Sequence, residues 1–393
     1  MIYLDNNATT VLDPIAAESM REVWRAGPLN PASQHAAGRR ARHWCDEAIV
    51  GCGRLLGAAC DLPHGPRLVL TSGGTEANNM AIAGWCQLRA GPLVLSAIEH
   101  SSIARLADQF AAGGRPVYRL PVHPQGVLQI ESLHALLNQL STAGTPPAVI
   151  AVMLANNETG VVQPVADVVR CAAAFEIPVH TDACQAVGKV PVDFAAVGAA
   201  SLSFAAHKFH GPAGIGGLLL APGKLLPPLL VGGDQQLGLR GGTEAVALAV
   251  GMHAALRQAV ERMDEDCPQI ERLRDQFEAI LCQAIPAVEI HGASALRLPG
   301  TSQLSLPPAD RQALLMALDL EGVCCSSGSA CASGSSQPST VLQAMGVGPA
   351  ARNSALRFGF SRFSTDVEMR QAAERIVNVY NRLTQREAVD KSA

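Results

Sequence analysis

Lys208 lies in the run Ser203-Phe204-Ala205-Ala206-His207-Lys208-Phe209-His210-Gly211-Pro212, where small and aromatic neighbours surround it with little other charge. An amine in such surroundings is poorly stabilised as a cation, which suits it to condense with a carbonyl group as a Schiff base. Taken alone, a lysine that snorkels from a loop to the surface is the usual case, and only the neighbouring motifs turn the reading toward chemistry. Upstream, His180-Thr181-Asp182-Ala183-Cys184-Gln185 closes an apolar run with a carboxylate. That carboxylate is placed to receive the N–H of a heteroaromatic ring, and a helix N-cap is the other role open to it. Earlier still, Thr71-Ser72-Gly73-Gly74-Thr75-Glu76-Ala77-Asn78-Asn79 follows an apolar run and opens a helical pattern. Glycines, hydroxyls and exposed N–H groups around Gly74 and Thr75 can hold a phosphate there, although a threonine-capped glycine turn fits the stretch too.

In this order on one βα scaffold, the phosphate loop, the strand-end aspartate and the lysine together describe a pyridoxal-phosphate site of the aspartate-aminotransferase fold. The anion at Asp182 keeps the pyridine nitrogen protonated, so that the ring can draw electrons. A further feature is Ser326-Ser327-Gly328-Ser329-Ala330-Cys331-Ala332-Ser333-Gly334-Ser335-Ser336, small and polar with no periodic apolar face. It predicts a mobile loop, and a thiol at Cys331 could swing to a bound ligand and carry a group away. An incidental cysteine in a linker is the plain alternative.

Short aliphatic runs must position these groups: Leu68–Leu70, Leu93–Leu95, Val149–Leu154, Val179–Thr181, Leu202–Phe204 and Gly217–Leu220, alternating with helical patterns. The alternation predicts βαβ units around a mostly parallel sheet, with the polar motifs at the carboxyl ends of the strands. From about Leu248 the pattern is helical through Ala284, and a smaller α/β lobe is expected from Val288 to about Val379. The expected division is an N-terminal segment 1–15 associated with the small domain, a large cofactor domain 16–255, a small domain 256–384 carrying the Cys331 loop, and a frayed polar tail 385–393.

Of the 393 residues, 48% are hydrophobic and 16% charged, the profile of a soluble chain with a large core. A net charge of −4 without a basic cluster argues against nucleic acid as a direct partner. The N-terminus lacks a signal-peptide pattern, and the apolar tract Ile215–Val231 is broken by glycines, prolines and Lys224, so no membrane span is expected. Eleven cysteines without CxxC pairs argue against a disulfide framework or a metal site, and for a reducing, cytoplasmic setting.

With these motifs the chain resembles the class V aminotransferase group and, within it, the cysteine desulfurases of the NifS and IscS type. The resemblance runs from Tyr3-Leu4-Asp5-Asn6-Asn7-Ala8-Thr9-Thr10 through Asn30-Pro31-Ala32-Ser33, His35 and Gly38 to Asn156-Asn157-Glu158-Thr159-Gly160. It continues through the Asp182 and Lys208 motifs, Arg240-Gly241-Gly242-Thr243-Glu244 and the Cys331 loop, and ends at Leu356-Arg357-Phe358. The length of that loop is similar to the NifS and IscS branch rather than the SufS branch.

What the resemblance implies is a pyridoxal-phosphate transferase of fold type I, converting L-cysteine to L-alanine with the sulfur passing to Cys331 as a persulfide. Lys208 would bind the cofactor and shuttle the Cα proton, while His100 would stack on the pyridine ring and assist proton transfer. Asp182 would pair with the ring nitrogen, and Asn157 and Gln185 would reach the phenolic oxygen. Gly74, Thr75, His207 and the Thr243 of a neighbouring subunit would hold the phosphate, making a homodimer part of the expectation. Arg357, with Asn157, would bind the substrate, the guanidinium clamping its carboxylate. A protein would accept the sulfur, an iron–sulfur scaffold among the candidates. Selenocysteine lyase shares all of these groups, and a non-catalytic cofactor-binding scaffold is the reading from another class. Two positions depart from the family pattern: Ala205 replaces a frequent serine of the phosphate cup, and Ala213 replaces a frequent lysine.

Overall fold

The computed structural model describes residues 1–328 and 339–390, the stretch 386–390 by backbone alone. Its strands are β1 (Ile2–Tyr3), β2 (Arg67–Thr71), β3 (Leu93–Ser96), β4 (Val117–Leu120), β5 (Val149–Ala151), β6 (Val179–Asp182), β7 (Ser201–Ala205), β8 (Gly216–Leu220), β9 (Glu289–Ile290), β10 (Thr301–Ser305), β11 (Val323–Cys324) and β12 (Ala355–Gly359). Seven of them form one sheet in the order β2-β8-β7-β6-β5-β3-β4. All neighbours in it are parallel except β8, which runs antiparallel to both β2 and β7. The reason lies in the link Ala206–Ile215, which holds only a 3-10 turn and is too short for the crossover a parallel strand needs.

Each strand run expected from the sequence is present, and β5, β6, β7 and β8 are buried along their whole length, as continuous aliphatic runs require in a sheet covered on both faces. Edge strand β4 was not anticipated; its Val-Tyr-Arg-Leu pattern is half exposed and carries little apolar signal. Chain order reverses at β3, which has β4 on one side and β5 on the other, so the crevice above β3 and β5 is the switch point where such sheets bind ligands.

A second core gathers the later part of the chain. The helices Met263–Ala284 and Asp366–Asp390 pack on the β12-β10-β9 sheet, with Phe277 between Phe358 and Phe360 at centroid distances of 5.0 and 5.3 Å. Ile2 and Leu4 are buried in this core, and β1 pairs in parallel with β11. Burial of such side chains contributes about 1.5–3 kcal/mol each, enough to fix the N-terminal segment there. The last helix continues to Asp390, past Gln385 where the polar composition predicted fraying. Arg386, Glu387 and Ala388 are good helix formers that extend an already anchored helix. Among the described residues no helix is long and apolar enough to cross a membrane.

Candidate active site

The helix Gly74–Leu88 is buried on nearly every side, through Ala77, Met80, Ala81, Ile82, Gly84 and Trp85 among others, because it lies between the sheet and the rest of the fold. Its N-cap, Gly73, makes no side-chain cap bond, so the first N–H groups of the helix remain available at the end of β2. These N–H groups and the positive end of the helix are suited to an anion. Thr75 and Gly74 open into a cavity of about 660 Å³, a size that suits a cofactor together with a small substrate.

Lys208 borders the same cavity from the 3-10 turn that ends β7. Its Nζ donates to the carbonyl oxygens of Asn7 and Ala8, at 2.7 and 2.8 Å. Beside it, burial and the positive charges of Lys208 and Lys189 press His207 down to about 4, so its ring is neutral near pH 7. Lys189 itself is lowered to about 7, by burial first and then by Lys208 and Arg357, and its Nζ donates to Gln185 Oε1 at 2.8 Å. Gln185 Nε2 donates to the carbonyl of Asn7 at 2.9 Å.

Asp182 ends β6 with its carboxylate nearly buried. Oδ2 accepts from Asn78 Nδ2 at 2.7 Å and Oδ1 from the Cys184 backbone N–H at 2.9 Å. Burial and this carboxylate hold the neighbouring Cys184 thiol well above the usual range, so it is protonated. His100 caps the helix Ser101–Ala112, its Nδ1 accepting the Ser102 N–H at 3.2 Å. Next to it, Glu99 is pushed up to about 8 by burial, against the bonds donated by Ser96 Oγ and Met153 N.

Arg357, in the middle of β12, is only 2% exposed. One Nη donates to the Asn157 carbonyl at 2.8 Å and the other to Asp5 Oδ1 at 2.9 Å, while Nε is buried with no partner among the described residues. Glu158 lies alongside, its carboxyl raised by burial and taking the Ser339 hydroxyl at 2.5 Å.

The fold therefore brings Gly74, Thr75, His100, Asn157, Asp182, Gln185, His207, Lys208 and Arg357 to one cavity. Ala205 lines it as well, presenting a methyl group near Gly74. Thr243 is exposed and does not line that cavity. Its segment is tied to the helix Gly74–Leu88 by the Arg240–Glu76 ion pair at 2.8 Å. Cys331 lies outside the described residues. Sequence reasoning overlooked Asn7, Asn78, Ser102, Glu99 and Lys189; the one available signal was the period of two in β6 and β7, which puts His180 and Asp182 on one face beside Ser201 and Ser203.

The cavity offers a helix N-terminus able to receive an anion, a carboxylate at the middle of the sheet and an amine, a donor set that fits pyridoxal phosphate. Residues 2–371 match the family described as Aminotransferase class-V. The chain is 36% identical to the cysteine desulfurase NifS of Azotobacter vinelandii, over 94% of this chain and 90% of that one. It is 37% identical to an IscS-like cysteine desulfurase of Mycobacterium tuberculosis, over 95% of each. The X-ray structure of a NifS-like protein from Rickettsia africae superposes with a TM-score of 0.88 at 29% identity, covering 97% of this chain and 99% of the other.

Proposed function

Starting from the fact that the chain belongs to the class-V aminotransferase family, we propose that it is a pyridoxal-phosphate-dependent cysteine desulfurase, releasing L-alanine from L-cysteine and passing the sulfur to Cys331. The observation that carries this reading is the convergence of Lys208, Asp182 and the uncapped Gly74–Leu88 helix end on one cavity that Arg357 also borders. Bound pyridoxal phosphate supplies an electron-withdrawing ring that makes the Cα proton of an amino acid labile.

The residues of the chain do the rest. Lys208 would hold the cofactor covalently and then take the Cα proton of the substrate; Asp182 would keep the ring nitrogen protonated. Thr75, His207 and the N–H groups behind Gly73 hold the phosphate, and Gln185 with Asn157 reaches the phenolic oxygen. Arg357 fixes the substrate carboxylate, its guanidinium held from behind by Asp5 and Asn157. His100 would lie against the ring and serve proton transfer. The Cys331 thiolate attacks the sulfur of the bound cysteine: an S–S bond forms as the C–S bond breaks, the electron pair stays with carbon, and protonation there completes L-alanine.

The proposal includes a homodimer in which the partner's copy of the Thr243 segment completes the phosphate site, a protein acceptor such as an iron–sulfur scaffold, and a cytoplasmic location. It also includes a division of the chain at 255/256; the first core, with Leu256 and Ala259, runs a few residues past that point to the end of the helix Val246–Glu261, and the second core takes over from Leu273. The test is alanine production from cysteine by the purified protein and its variants. Lys208→Ala is expected to lose the visible absorbance of the bound cofactor, and Cys331→Ala to lose alanine production. Retained alanine production in Cys331→Ala overturns the assigned route for sulfur.

A further inference from the structure

Asn78 is 1% exposed, and both polar atoms of its side chain are doubly engaged. It stands on the second turn of the helix Gly74–Leu88, facing β6 and β7, where the strand register sets His180 beside Ser201 and Asp182 beside Ser203. The direction of every hydrogen bond around it follows from one fact: a carboxylate can only accept. Asp182 Oδ2 lies 2.7 Å from Asn78 Nδ2, so the amide nitrogen faces Asp182 and Oδ1 faces away.

Oδ1 then accepts the Ser203 hydroxyl and also lies 3.0 Å from His180 Nε2, which must therefore carry a hydrogen. His180 is fully buried and held down to about 4, so the ring is neutral and its Nδ1 must accept. Its partner is Ser201 Oγ at 3.0 Å, which itself receives the Trp85 indole N–H at 3.1 Å. In the other direction, Asn78 Nδ2 donates to Ser102 Oγ at 2.9 Å, leaving the Ser102 hydroxyl hydrogen for His100 Nδ1, also at 2.9 Å. That ring nitrogen accepts the Ser102 backbone N–H as well. A neutral His100 consequently bears its proton on Nε2.

We infer that Asn78 is a positioning residue that, together with the Ser102 backbone N–H, fixes the polarity of this chain from Trp85 to His100, orienting the Asp182 carboxylate and keeping His100 a hydrogen donor at Nε2. This rests on the cofactor reading above. In the opposite polarity His100 would present a lone pair at Nε2 and act as a base; in the polarity set by Asn78 it gives a hydrogen bond, or a proton, to what lies over the ring. His100 therefore cannot deprotonate a substrate thiol through Nε2 while neutral, and Lys208 is the base of the site.

Two measurements test this on the full-length protein. Histidine-selective nitrogen NMR, assigned with His100→Gln, is expected to show the Nε2–H tautomer for His100 and His180 with and without pyridoxal phosphate. An Nδ1–H tautomer at His100 overturns the inference. The isosteric Asn78→Asp replaces the donor facing Asp182 with an oxygen, so His180 is expected to become protonated and titrate above neutral pH. The pH midpoint of the bound-cofactor absorbance is expected to move by about one unit or more. Asn78→Leu, if it folds by its thermal melt, is expected to release the cofactor about tenfold faster, with His180 remaining neutral. A residue that only fills space would leave His180 neutral in Asn78→Asp and the absorbance midpoint where it is in the wild type, and that result also overturns the inference. Failure of the wild type to acquire cofactor absorbance would instead overturn the proposed function, while the tautomers of the cofactor-free protein still decide the polarity.

Discussion

Replacing Arg357 by lysine is expected to raise KM for L-cysteine far more than it lowers kcat. The guanidinium is locked in place by the Asn157 carbonyl at 2.8 Å and Asp5 Oδ1 at 2.9 Å, and its Nε–H is buried without a partner among the described residues. A substrate carboxylate that takes this donor together with a neighbouring Nη–H gains planar, two-pronged recognition. An ammonium keeps the charge but offers a single point of contact, and it cannot serve Asp5, Asn157 and the substrate at once. Losing one hydrogen bond to a charged group costs about 1.5–3 kcal/mol, which corresponds to about a 10- to 150-fold rise in KM. The same substitution leaves a buried acceptor at Asp5 or Asn157 short of its partner, so a loss of about 1–3 kcal/mol in stability is expected. Initial rates of alanine formation against cysteine concentration measure the first effect, and urea unfolding measures the second. A KM within threefold of the wild type, in a variant that has paid the stability penalty, would refute the carboxylate assignment, because it would show that Arg357 serves the fold alone.

Glu99→Gln is expected to flatten the pH dependence of stability. The folded-state value of about 8 lies above the ordinary 4.5, so between these values the folded chain holds a proton that the unfolded chain has released. Wild-type stability therefore falls as pH rises through that window and levels off above about 8, a slope that urea midpoints from pH 5 to 9 would show and the variant should lack. Ala205→Ser restores a hydroxyl at the end of β7 and is expected to slow cofactor loss on dilution by about tenfold, the worth of one added bond to a charged group; an unchanged rate would place the phosphate elsewhere. Gly160→Ala should cost about 1–3 kcal/mol in thermal unfolding, because φ is +76° and the new Cβ would sit 2.7 Å from Thr301 Cβ. A melt equal to that of the wild type would show that the turn relaxes without disturbing Thr301.

The sheet was legible because β5 to β8 are buried on both faces and so read as uninterrupted aliphatic runs, whereas β4 and the short strands of the second core carry mixed patterns. The antiparallel return of β8 was readable only as a linker too short for a helix. Site residues with a chemical signature were legible by type and order: Lys208 in an apolar run, Asp182 at a strand end, glycines before a helix. Asn78, Ser102 and Asn7 were not, since an amide or hydroxyl looks the same on a surface as in a network, and what distinguishes them is a contact with residues far away in sequence. Asn78 lies 104 positions from Asp182, and Asn7 lies 294 positions from its partner Thr301. Pattern within one element cannot report such pairings.

The segment Asp5 to Ala8 shows why the site forms where the two cores meet. Ile2 and Leu4 anchor the chain in the second core, and the Gly359 N–H donates to the Leu4 carbonyl at 2.6 Å. A few residues on, the Asn7 carbonyl receives both Lys208 Nζ and Gln185 Nε2 from the large sheet, while its side chain donates to Thr301 Oγ1 on β10 at 2.8 Å. Asp5 meanwhile holds Arg357 of β12. The amine assigned to the cofactor and the guanidinium assigned to the substrate carboxylate come from different cores, yet both are referenced to the same four-residue segment, one through its carbonyls and the other through the Asp5 carboxylate. Their separation is thus set by local covalent geometry rather than by the sum of many distant contacts, and small shifts between the cores need not reach the reacting centre. Productive geometry tolerates only small displacements before rate is lost, so a short segment bonded to both sides is a direct way for the chain to meet that requirement.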